Sequence, residues 1–235
     1  MAGLTTGGPN LDVGLLYDIN GLARHAPAPV DRFVGLLGDY GLLAVMVLLV
    51  LWCWHRARRQ DETTAIESFA ALVWAPLAAA LALLVNVPLR EFVGRPRPFR
   101  RHDGLEVLAS GNTDFSFVSD HATLAMALGV GLFLADRRFG LAGIGLALSV
   151  GVCRVYTGAH YPTDVLGGFA LGTAVVLLLA PAAMALLTPL VRGVARAPRA
   201  RRLVRSRRLT LPLAVGLPQA HTPPGSRSHD KDLAA

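Results

Sequence analysis

Three stretches of the chain place ionisable side chains at the ends of apolar segments, and their residue types suit the chemistry of phosphate groups. The first spans residues 90–99 and reads Arg-Glu-Phe-Val-Gly-Arg-Pro-Arg-Pro-Phe. The guanidinium groups of Arg90 and Arg97 stay charged beside lipid and can hold two oxygens of one phosphate. The same arginines could instead anchor the chain at the headgroups, with their charged ends reaching the water. Taken alone, this stretch leaves phosphate binding and anchoring open.

The second stretch, Ser119-Asp120-His121, directly precedes the apolar run 122–135. Ser119 predicts a helix start whose first turn is capped by the serine side chain, so the free amides of Ser119 and Asp120 would form an anion site. His121 then lies in the first turn, where it could give or take a proton at a bound phosphate. An ordinary capped helix with an incidental interfacial histidine would have the same sequence. This stretch therefore needs support from elsewhere in the chain.

The third stretch, residues 154–164, joins two apolar segments through a polar turn. Arg154 ends the first segment, His160 lies in the turn, and Asp164 follows Pro162, which suits a helix start. An aspartate near an imidazole fixes its tautomer and strengthens the other nitrogen as a nucleophile, and the helix dipole favours the ionised carboxylate. A purely structural hairpin with an aspartate cap would not explain why Arg154 and His160 occur together.

Composition predicts that the elements carrying these residues lie in a membrane. The chain has 235 residues, of which 53% are hydrophobic, and its mean hydropathy is +0.46. A soluble domain is less apolar than this, so we predict an all-α fold, a polytopic membrane helical bundle with five or six transmembrane helices. The predicted spans cover about 33–54, 66–89, 119–135, 140–156 and 162–187.

A segment with apolar residues at helical spacing precedes the first span, at 11–23. Asp12, Asp18 and Asn20 make it amphipathic, so we expect it to lie at the membrane surface and to end in the proline-containing stretch 26–30. If it crossed the membrane, it would be the sixth span. The predicted organisation is an amphipathic or interfacial segment at 1–32, a transmembrane domain carrying all three stretches at 33–190, and a basic, disordered cytoplasmic tail at 191–235.

Basic loops predict the orientation of the bundle. Arginines cluster at 56–59, at 137–138 and in the tail, all on one side, and loops rich in arginine stay in the cytoplasm. The loops 90–118 and 157–161 then lie outside, although the first holds five arginines against that rule. All three stretches thus fall on the extracytoplasmic face of the cell membrane, whether the chain has five spans or six. Their convergence on one face favours a shared active site.

The charge distribution also indicates the class of partner. The net charge is +7, and all but one of the 23 cationic residues are arginine, with Lys231 the exception. The arginines form short clusters between apolar runs, which favours membrane topology and phosphate binding over nucleic acid. Cys53 and Cys153 lie inside apolar segments, far from any metal-ligand spacing, so we predict no metal, no other cofactor and no structural disulfide.

Together the three stretches resemble the tripartite signature of the type 2 phosphatidic acid phosphatase superfamily. The family's first motif is Lys, six residues, Arg-Pro, and here Arg90 is followed after six residues by Arg97-Pro98, with arginine replacing lysine. The second, Pro-Ser-Gly-His, is similar to Val-Ser-Asp-His at 118–121. The third is Ser-Arg, five residues, His, three residues, Asp, and the gaps match at 153–164 with cysteine replacing serine.

The resemblance implies a membrane phosphatase that uses no metal. It assigns His160 as the nucleophile that forms a phosphohistidine, with Asp164 holding its ring. It assigns His121 as the acid that protonates the departing oxygen and then as the base that activates water. The implied phosphate-binding residues are Arg90, Arg97, Arg154, Ser119 and Asp120.

One branch of the superfamily is especially similar, the BcrC-type undecaprenyl pyrophosphate phosphatases associated with bacitracin resistance. The similarity rests on the Ser-Asp-His variant and on the segments 16–22 and 115–121. It implies hydrolysis of a polyprenyl pyrophosphate to the monophosphate for cell-wall synthesis, and the arginines at 95–101 offer donors for a second phosphate. Phosphatidylglycerophosphate, phosphatidic acid and polyprenyl-phosphosugars remain alternative substrates. A transporter or scaffold for lipid phosphates is the non-enzymatic alternative.

Overall fold

The computed structural model describes residues 10–108, 114–197 and 204, and within them the chain is a bundle of helices. The helices and helical turns, in chain order, are α1 (Leu11–His25), α2 (Ala28–Leu36), a π-helical turn (Leu37–Gly41), α3 (Leu42–Ala57), α4 (Glu62–Val93), a 3-10 turn (Pro98–Arg100), α5 (Asp120–Ala135), α6 (Arg137–Tyr156) and α7 (Pro162–Arg196).

Four stretches of the described residues are helical, long and apolar enough to cross a membrane. They are Ala28–Ala57, Glu62–Arg100, Arg137–Tyr156 and Pro162–Arg196. The shorter α5, with 16 residues, is the central helix, since it packs against α4, α6 and α7 and buries most of its surface. The predicted all-α membrane bundle is therefore confirmed, with α5 as the short fifth member and α1 outside the set of four.

Glycines allow α7 to pack closely on α5. A Cβ atom on Gly168 would lie 2.8 Å from the carbonyl oxygen of Ser119, and one on Gly172 would lie 2.5 Å from that of Thr123. Small residues at such spacing let two membrane helices bring their backbones together. Gly129 makes the same kind of contact from α5 to α6. These contacts fix the first turn of α5 beside the first turn of α7, where the second and third motifs lie.

The helix that follows α1 begins earlier than the sequence predicted. Residues 28–30, expected to be part of a non-helical stretch, form the first turn of α2. The reason is the position of Pro29, because a proline in the first turn of a helix gives up an N–H that would have no partner there. The first span consequently runs without a break through α2, the π-helical turn and α3.

The last helix also extends beyond its predicted end. Residues 191–196, assigned to the basic tail, continue α7 as far as Arg196. Val191 is buried against Ile66 and Ala70 of α4, and this contact stabilises the extra turns. The rest of the predicted tail, apart from residues 197 and 204, lies outside the described residues, as do residues 1–9 at the amino end.

The amphipathic helix α1 lies across the end of the bundle that carries the motifs. Asn20, which is buried, donates from Nδ2 to the carbonyls of Glu106 and Tyr156, both at 2.8 Å, and accepts from the N–H of Glu106 at 2.9 Å. The outward face of α1 carries exposed leucines, namely Leu11, Leu15 and Leu22. The helix thus ties the loop after α4 to the end of α6 and presents apolar side chains outward.

Candidate active site

Successive antiparallel helices bring the three motifs to one end of the bundle. The helix α4 ends at Gly94, whose φ of 58° forms a left-handed cap with its N–H donated to the Arg90 carbonyl at 3.0 Å. Arg90 and the arginines after Gly94 therefore lie beside the start of α5. The end of α6 and the start of α7 meet at the same end through a turn in which Gly158 has a φ of 68°.

His160, which lies in that turn, is held in one tautomer by a backbone carbonyl. Its Nδ1 lies 2.9 Å from the carbonyl oxygen of Ser116. Because a carbonyl only accepts, Nδ1 carries the proton and Nε2 of the neutral ring keeps its lone pair. Nε2 in turn lies 3.5 Å from Nη1 of Arg97. The free nitrogen therefore faces an arginine of the first motif, as a nucleophile for a bound phosphate would.

Burial keeps the His160 ring neutral. Removal from water lowers the pKa of His160 below its ordinary value. Asp164 acts in the opposite direction, but the positive charges of Arg97 and Arg154 add to the effect of burial. The ring is consequently unprotonated at neutral pH, which is the form that can attack phosphorus.

Asp164 is fully buried and acts on His160 largely through Ser116. One carboxylate oxygen accepts from Arg95 at 2.8 Å, and the other accepts from the hydroxyl of Ser116 and from the N–H of Tyr161 at 3.0 Å. The distance from the second oxygen to Nδ1 of His160 is 3.9 Å, too long for a direct hydrogen bond. The sequence led us to expect a direct contact, whereas Ser116 is the nearer partner of the ring.

A single carboxylate joins two arginines of the first motif. Arg97, buried at the centre of the site, donates to the carbonyl of Ala159 at 3.1 Å and to Asp114 at 2.7 Å. Arg90 donates to the other oxygen of Asp114 at 2.5 Å. A carboxylate shared between two guanidinium groups shows that the pair is arranged to hold an anion.

Asp114 is ionised in this position. Partial burial raises its pKa, but the hydrogen bond and charge of Arg97, together with the charge of Arg90, lower it by more, so the pKa of Asp114 lies below its ordinary value. The carboxylate therefore offsets one of the two positive charges of Arg90 and Arg97 throughout the neutral range.

The second motif contributes a buried hydroxyl and a neutralised carboxylate. Ser119 precedes α5 in the capping position, but its hydroxyl makes no capping hydrogen bond, so that part of the prediction was wrong. Its N–H, which we expected to face phosphate, donates to the carbonyl of Asp164 at 3.1 Å. The carboxylate of Asp120 accepts from Asn86 at 2.6 Å and pairs with Arg90. Pairing with Arg90 removes the repulsion that an aspartate beside an anion site would otherwise cause.

His121 and Arg154 complete the predicted set. His121 is half-buried in the first turn of α5, near His160 and close enough to Arg154 for the charge of the arginine to act on it. Arg154 is buried in the last turn of α6 and pairs with Asp39 of the π-helical turn. The structure therefore brings the predicted histidines, arginines and Asp164 into one region.

Three buried polar atoms in this region have no hydrogen-bond partner among the residues that the structure describes. They are Nε of Arg90, Nε of Arg154 and Oγ of Ser119. Buried polar atoms are nearly always hydrogen-bonded, so three unpaired donors near one another fit a site that binds the oxygens of an anion. Within the described ranges, no group of three or more histidine, cysteine, aspartate or glutamate side chains is arranged to hold a metal ion.

The sequence did not reveal five residues that position the site: Asp12, Asp39, Asn86, Asp114 and Ser116. Asn86 and Asp39 had a signal that could have found them, because a polar side chain inside an apolar span is a functional candidate. Asp12 accepts from Arg95 at 2.6 Å, so this arginine is engaged inside the protein and is not a free donor for a second phosphate. Nothing local in the sequence marks Asp12 or Ser116, since their partners are far along the chain.

Residues 71–188 match the family model described as the PAP2 superfamily. The chain belongs to this superfamily. The matched range contains all three motifs, and the fold and membrane helices agree with it, so this PAP2 protein is a multi-pass membrane lipid phosphatase.

Known proteins similar to this PAP2 phosphatase differ in their substrates. It is 27% identical over 150 residues to undecaprenyl-diphosphatase BcrC of Bacillus subtilis, covering 63% of this chain and 72% of that protein. It is 36% identical over 179 residues to lipid A 1-phosphatase of Rhizobium johnstonii, covering 71% of this chain and 73% of that protein. Its fold is similar to the crystal structure of Aquifex aeolicus LpxE, with a TM-score of 0.53 and 20% identity. The similarity covers 73% of this chain and 95% of that chain.

Proposed function

We propose that this PAP2 phosphatase hydrolyses a polyprenyl pyrophosphate, such as undecaprenyl pyrophosphate, to the monophosphate. The chemistry rests chiefly on the free Nε2 of His160, which lies 3.5 Å from Arg97 at a cluster of arginines. The choice of substrate is supported by the Ser-Asp-His variant at 119–121 and by the similarity to undecaprenyl-diphosphatase BcrC.

In the proposed reaction, Nε2 of His160 attacks the terminal phosphorus and the bond from that phosphorus to the bridging oxygen breaks. His121, protonated in the substrate complex because the negative charge of the pyrophosphate favours the imidazolium, gives its proton to the bridging oxygen, which leaves on the polyprenyl monophosphate. Arg90, Arg97 and Arg154 stabilise the charge on the phosphoryl oxygens during the transfer. Neutral His121 then takes a proton from water, whose oxygen attacks the phosphohistidine and releases inorganic phosphate. His160 returns to its starting form.

A lipid A 1-phosphate is the second candidate substrate. The specific support is the 36% identity to the Rhizobium johnstonii enzyme, which exceeds the identity to BcrC. Both candidates carry a phosphate next to a long apolar anchor, and the arginine cluster would bind either phosphate. The preference for one substrate over the other would therefore depend on how the protein recognises the leaving group, which differs between them.

We also propose that the site faces the outside of the plasma membrane. The basic clusters at 56–59 and 137–138 follow α3 and α5, at the end of the bundle opposite the motifs, and such clusters remain in the cytoplasm. A cysteine replacing exposed Glu106 should react with an impermeant thiol reagent in intact cells, whereas one replacing exposed Thr64 should not. The native Cys53 and Cys153 are buried and provide a low background. The reverse labelling would invert the topology.

The function is tested by lipid hydrolysis with purified full-length protein in one detergent, in the presence of EDTA. We expect phosphate release from undecaprenyl pyrophosphate with a higher kcat/KM than from lipid A 1-phosphate, phosphatidic acid or phosphatidylglycerophosphate. A clear preference for lipid A 1-phosphate would replace the substrate but keep the histidine chemistry. Loss of activity in EDTA that a divalent ion restores would overturn the metal-free mechanism. Binding of these lipids without any phosphate release would favour a transporter or scaffold.

A further inference from the structure

The first membrane span carries a carboxylate, Asp39, in the π-helical turn Leu37–Gly41. A charged side chain within a span is costly, and π-helical turns inside α-helices occur frequently at functional sites. The neighbouring Gly38 packs so closely on α6 that a Cβ atom there would lie 2.6 Å from Cβ of Cys153. The close packing of Gly38 holds Asp39 next to the last turn of α6.

Asp39 lies between Arg154 and an open cavity. Its carboxylate pairs with Nη1 of Arg154, and in the part of the chain that the structure describes this is the only ion pair of Arg154. The Arg154 side chain is 4% exposed and that of Asp39 is 36% exposed. The exposed side of Asp39 borders a cavity of about 540 Å³, which runs along the face of α2 that carries Asp31 and Arg32. The carboxylate therefore has solvent on one side and a buried arginine on the other.

We propose that the Asp39 carboxylate competes with phosphate for Arg154 and thereby limits how tightly the site holds phosphate. The inference rests on the proposed function, because it takes Arg154 as a phosphate ligand. Nε of Arg154 is buried without a partner, so a phosphate that binds this edge comes close to the Asp39 carboxylate. Repulsion between the two anions weakens phosphate binding, and the cavity gives the carboxylate room to turn away.

This role has a consequence for turnover. Each cycle leaves inorganic phosphate among Arg90, Arg97 and Arg154, and such a cluster retains a small dianion strongly. The Asp39 carboxylate, already paired with Arg154, can take the place of the departing phosphate oxygen. Asp39 thus promotes product release, and it also weakens binding of the substrate phosphate.

The chain offers a matched control in Asp31. Asp31 and Asp39 border the same cavity from the same helical segment. Asp31 accepts from the Tyr156 hydroxyl at 2.8 Å, and within the described part of the chain it pairs with no arginine. Asp39→Asn and Asp31→Asn remove the same charge and keep an oxygen that can accept a hydrogen bond. Asp39→Glu keeps the charge, and Asp39→Ser is a smaller neutral variant in case Asp39→Asn does not fold.

The experiment measures binding of inorganic phosphate to full-length protein in detergent, from the rise in Tm with phosphate concentration. We expect the Kd of phosphate to fall roughly tenfold in Asp39→Asn or Asp39→Ser, since the competing charge is gone. Asp31→Asn and Asp39→Glu should stay within about twofold of the unmodified protein. In lipid hydrolysis, KM should fall in Asp39→Asn and kcat should fall with it as product release slows.

An unchanged or higher Kd in both neutral variants would overturn the proposal, because a residue that only held Arg154 in place could not strengthen binding when neutralised. A similar tightening in Asp31→Asn would also overturn it, since the effect would then be one of general charge. Failure of the proposed function is a separate result. It would appear as absence of phosphate release from every lipid by the unmodified protein, whatever the Kd values.

Discussion

The site has a nucleophile side, around the proposed nucleophile His160, and an arginine side, around Arg90, Arg97 and Arg154. The two sides satisfy their charges in different ways. On the nucleophile side, the Asp164 carboxylate is 0% exposed and hydrogen-bonded by Arg95, Ser116 and the Tyr161 N–H. On the arginine side, the carboxylates that pair with the motif arginines are 36% to 46% exposed, namely Asp39, Asp114 and Asp120. Separating two buried charges is costly, whereas a half-exposed carboxylate can turn to water when phosphate takes its place on a buried arginine.

The difference indicates that the two sides of the site have different roles. The His160 ring is fixed before substrate arrives, so no reorganisation is needed at the moment of attack. The arginines hold internal carboxylates that a phosphate can replace. Substitutions on the nucleophile side should therefore lower kcat, and substitutions of the half-exposed carboxylates should change KM.

The largest effect is expected from His160→Ala. Loss of the nucleophile should lower phosphate release by roughly 10⁴-fold or more. His25→Ala is the control, because His25 is exposed at the end of α1 and should keep full activity. Acid-labile, base-stable phosphoprotein should appear in quenched unmodified protein and be missing from His160→Ala. Substantial activity in His160→Ala would contradict a phosphohistidine mechanism.

Asp164→Asn should come next, with a fall in kcat of roughly 10²- to 10³-fold and little change in KM. Ser116→Ala should lose less, because the backbone carbonyl that accepts from His160 remains. If Asp164 acts through Ser116, the two losses will not add in the double variant. Additive losses measured in a double-mutant cycle would show that Asp164 acts on the ring independently.

Acid should inactivate the enzyme by protonating His160. Burial lowers the pKa of this ring, so protonation of His160 should lower kcat/KM only below the ordinary histidine range of about 6.5. The folded pKa is the lower one, so the stability contributed by the neutral ring is complete above the unfolded pKa and is lost as pH falls. Activity and unfolding midpoint, measured from about pH 8 to 4, should both decline. Loss of activity on the acid side that begins above pH 7 would contradict a lowered pKa at His160. A separate loss on the alkaline side is expected where His121 gives up the proton that it needs as the general acid.

Asp114→Asn should have a smaller effect, and on KM. Removing the charge that holds Arg90 and Arg97 should lower KM for lipid phosphates roughly threefold, while kcat changes less. The control is Asp103→Asn in the same loop after α4, because the Asp103 side chain is exposed. A rise in KM would mean that Asp114 is needed to align the arginines, and the contrast between the two sides of the site would fail.

The smallest effect is expected from Asp12→Asn in α1. Its carboxylate supports Arg95, which in turn holds Asp164, so kcat should fall roughly two- to fivefold, in line with about 0.5–1 kcal/mol for one partly exposed ion pair. Asp18→Asn on the exposed face of the same helix should leave kcat unchanged. Equal losses in the two variants would show that α1 acts only through general stability.

Local patterns explain what the sequence could predict. Apolar runs separated by charged or proline-containing residues predicted the helices α1, α4, α5, α6 and α7 close to their observed positions. The spacing within each motif placed His160, Asp164 and Arg154 correctly at one end of the bundle. Each of these signals lies within a few residues of chain.

Contacts between distant segments explain what the sequence could not predict. The end of α7 depends on the packing of Val191 against α4. The role of Ser116 depends on where α7 places Asp164, 48 residues later. The pairing of Asp39 with Arg154 joins residues 115 apart. Side chains whose partners are so remote leave no periodic or spacing signal in a single sequence.

The bonds of Asp12 constrain the order in which the enzyme can mature. Asp12 accepts from the N–H of Thr163 at 2.9 Å and from its hydroxyl at 2.7 Å, across 151 residues of chain. The helix α1 is synthesised first and Asn20 can bond to residues that precede α7, but the hydrogen bonds of Asp12 to Thr163 cannot form until α7 has emerged and inserted. The hydrogen bonds through which Asp12 supports Arg95 and Asp164 therefore form last. A chain that is only partly inserted in the membrane lacks a completed catalytic centre.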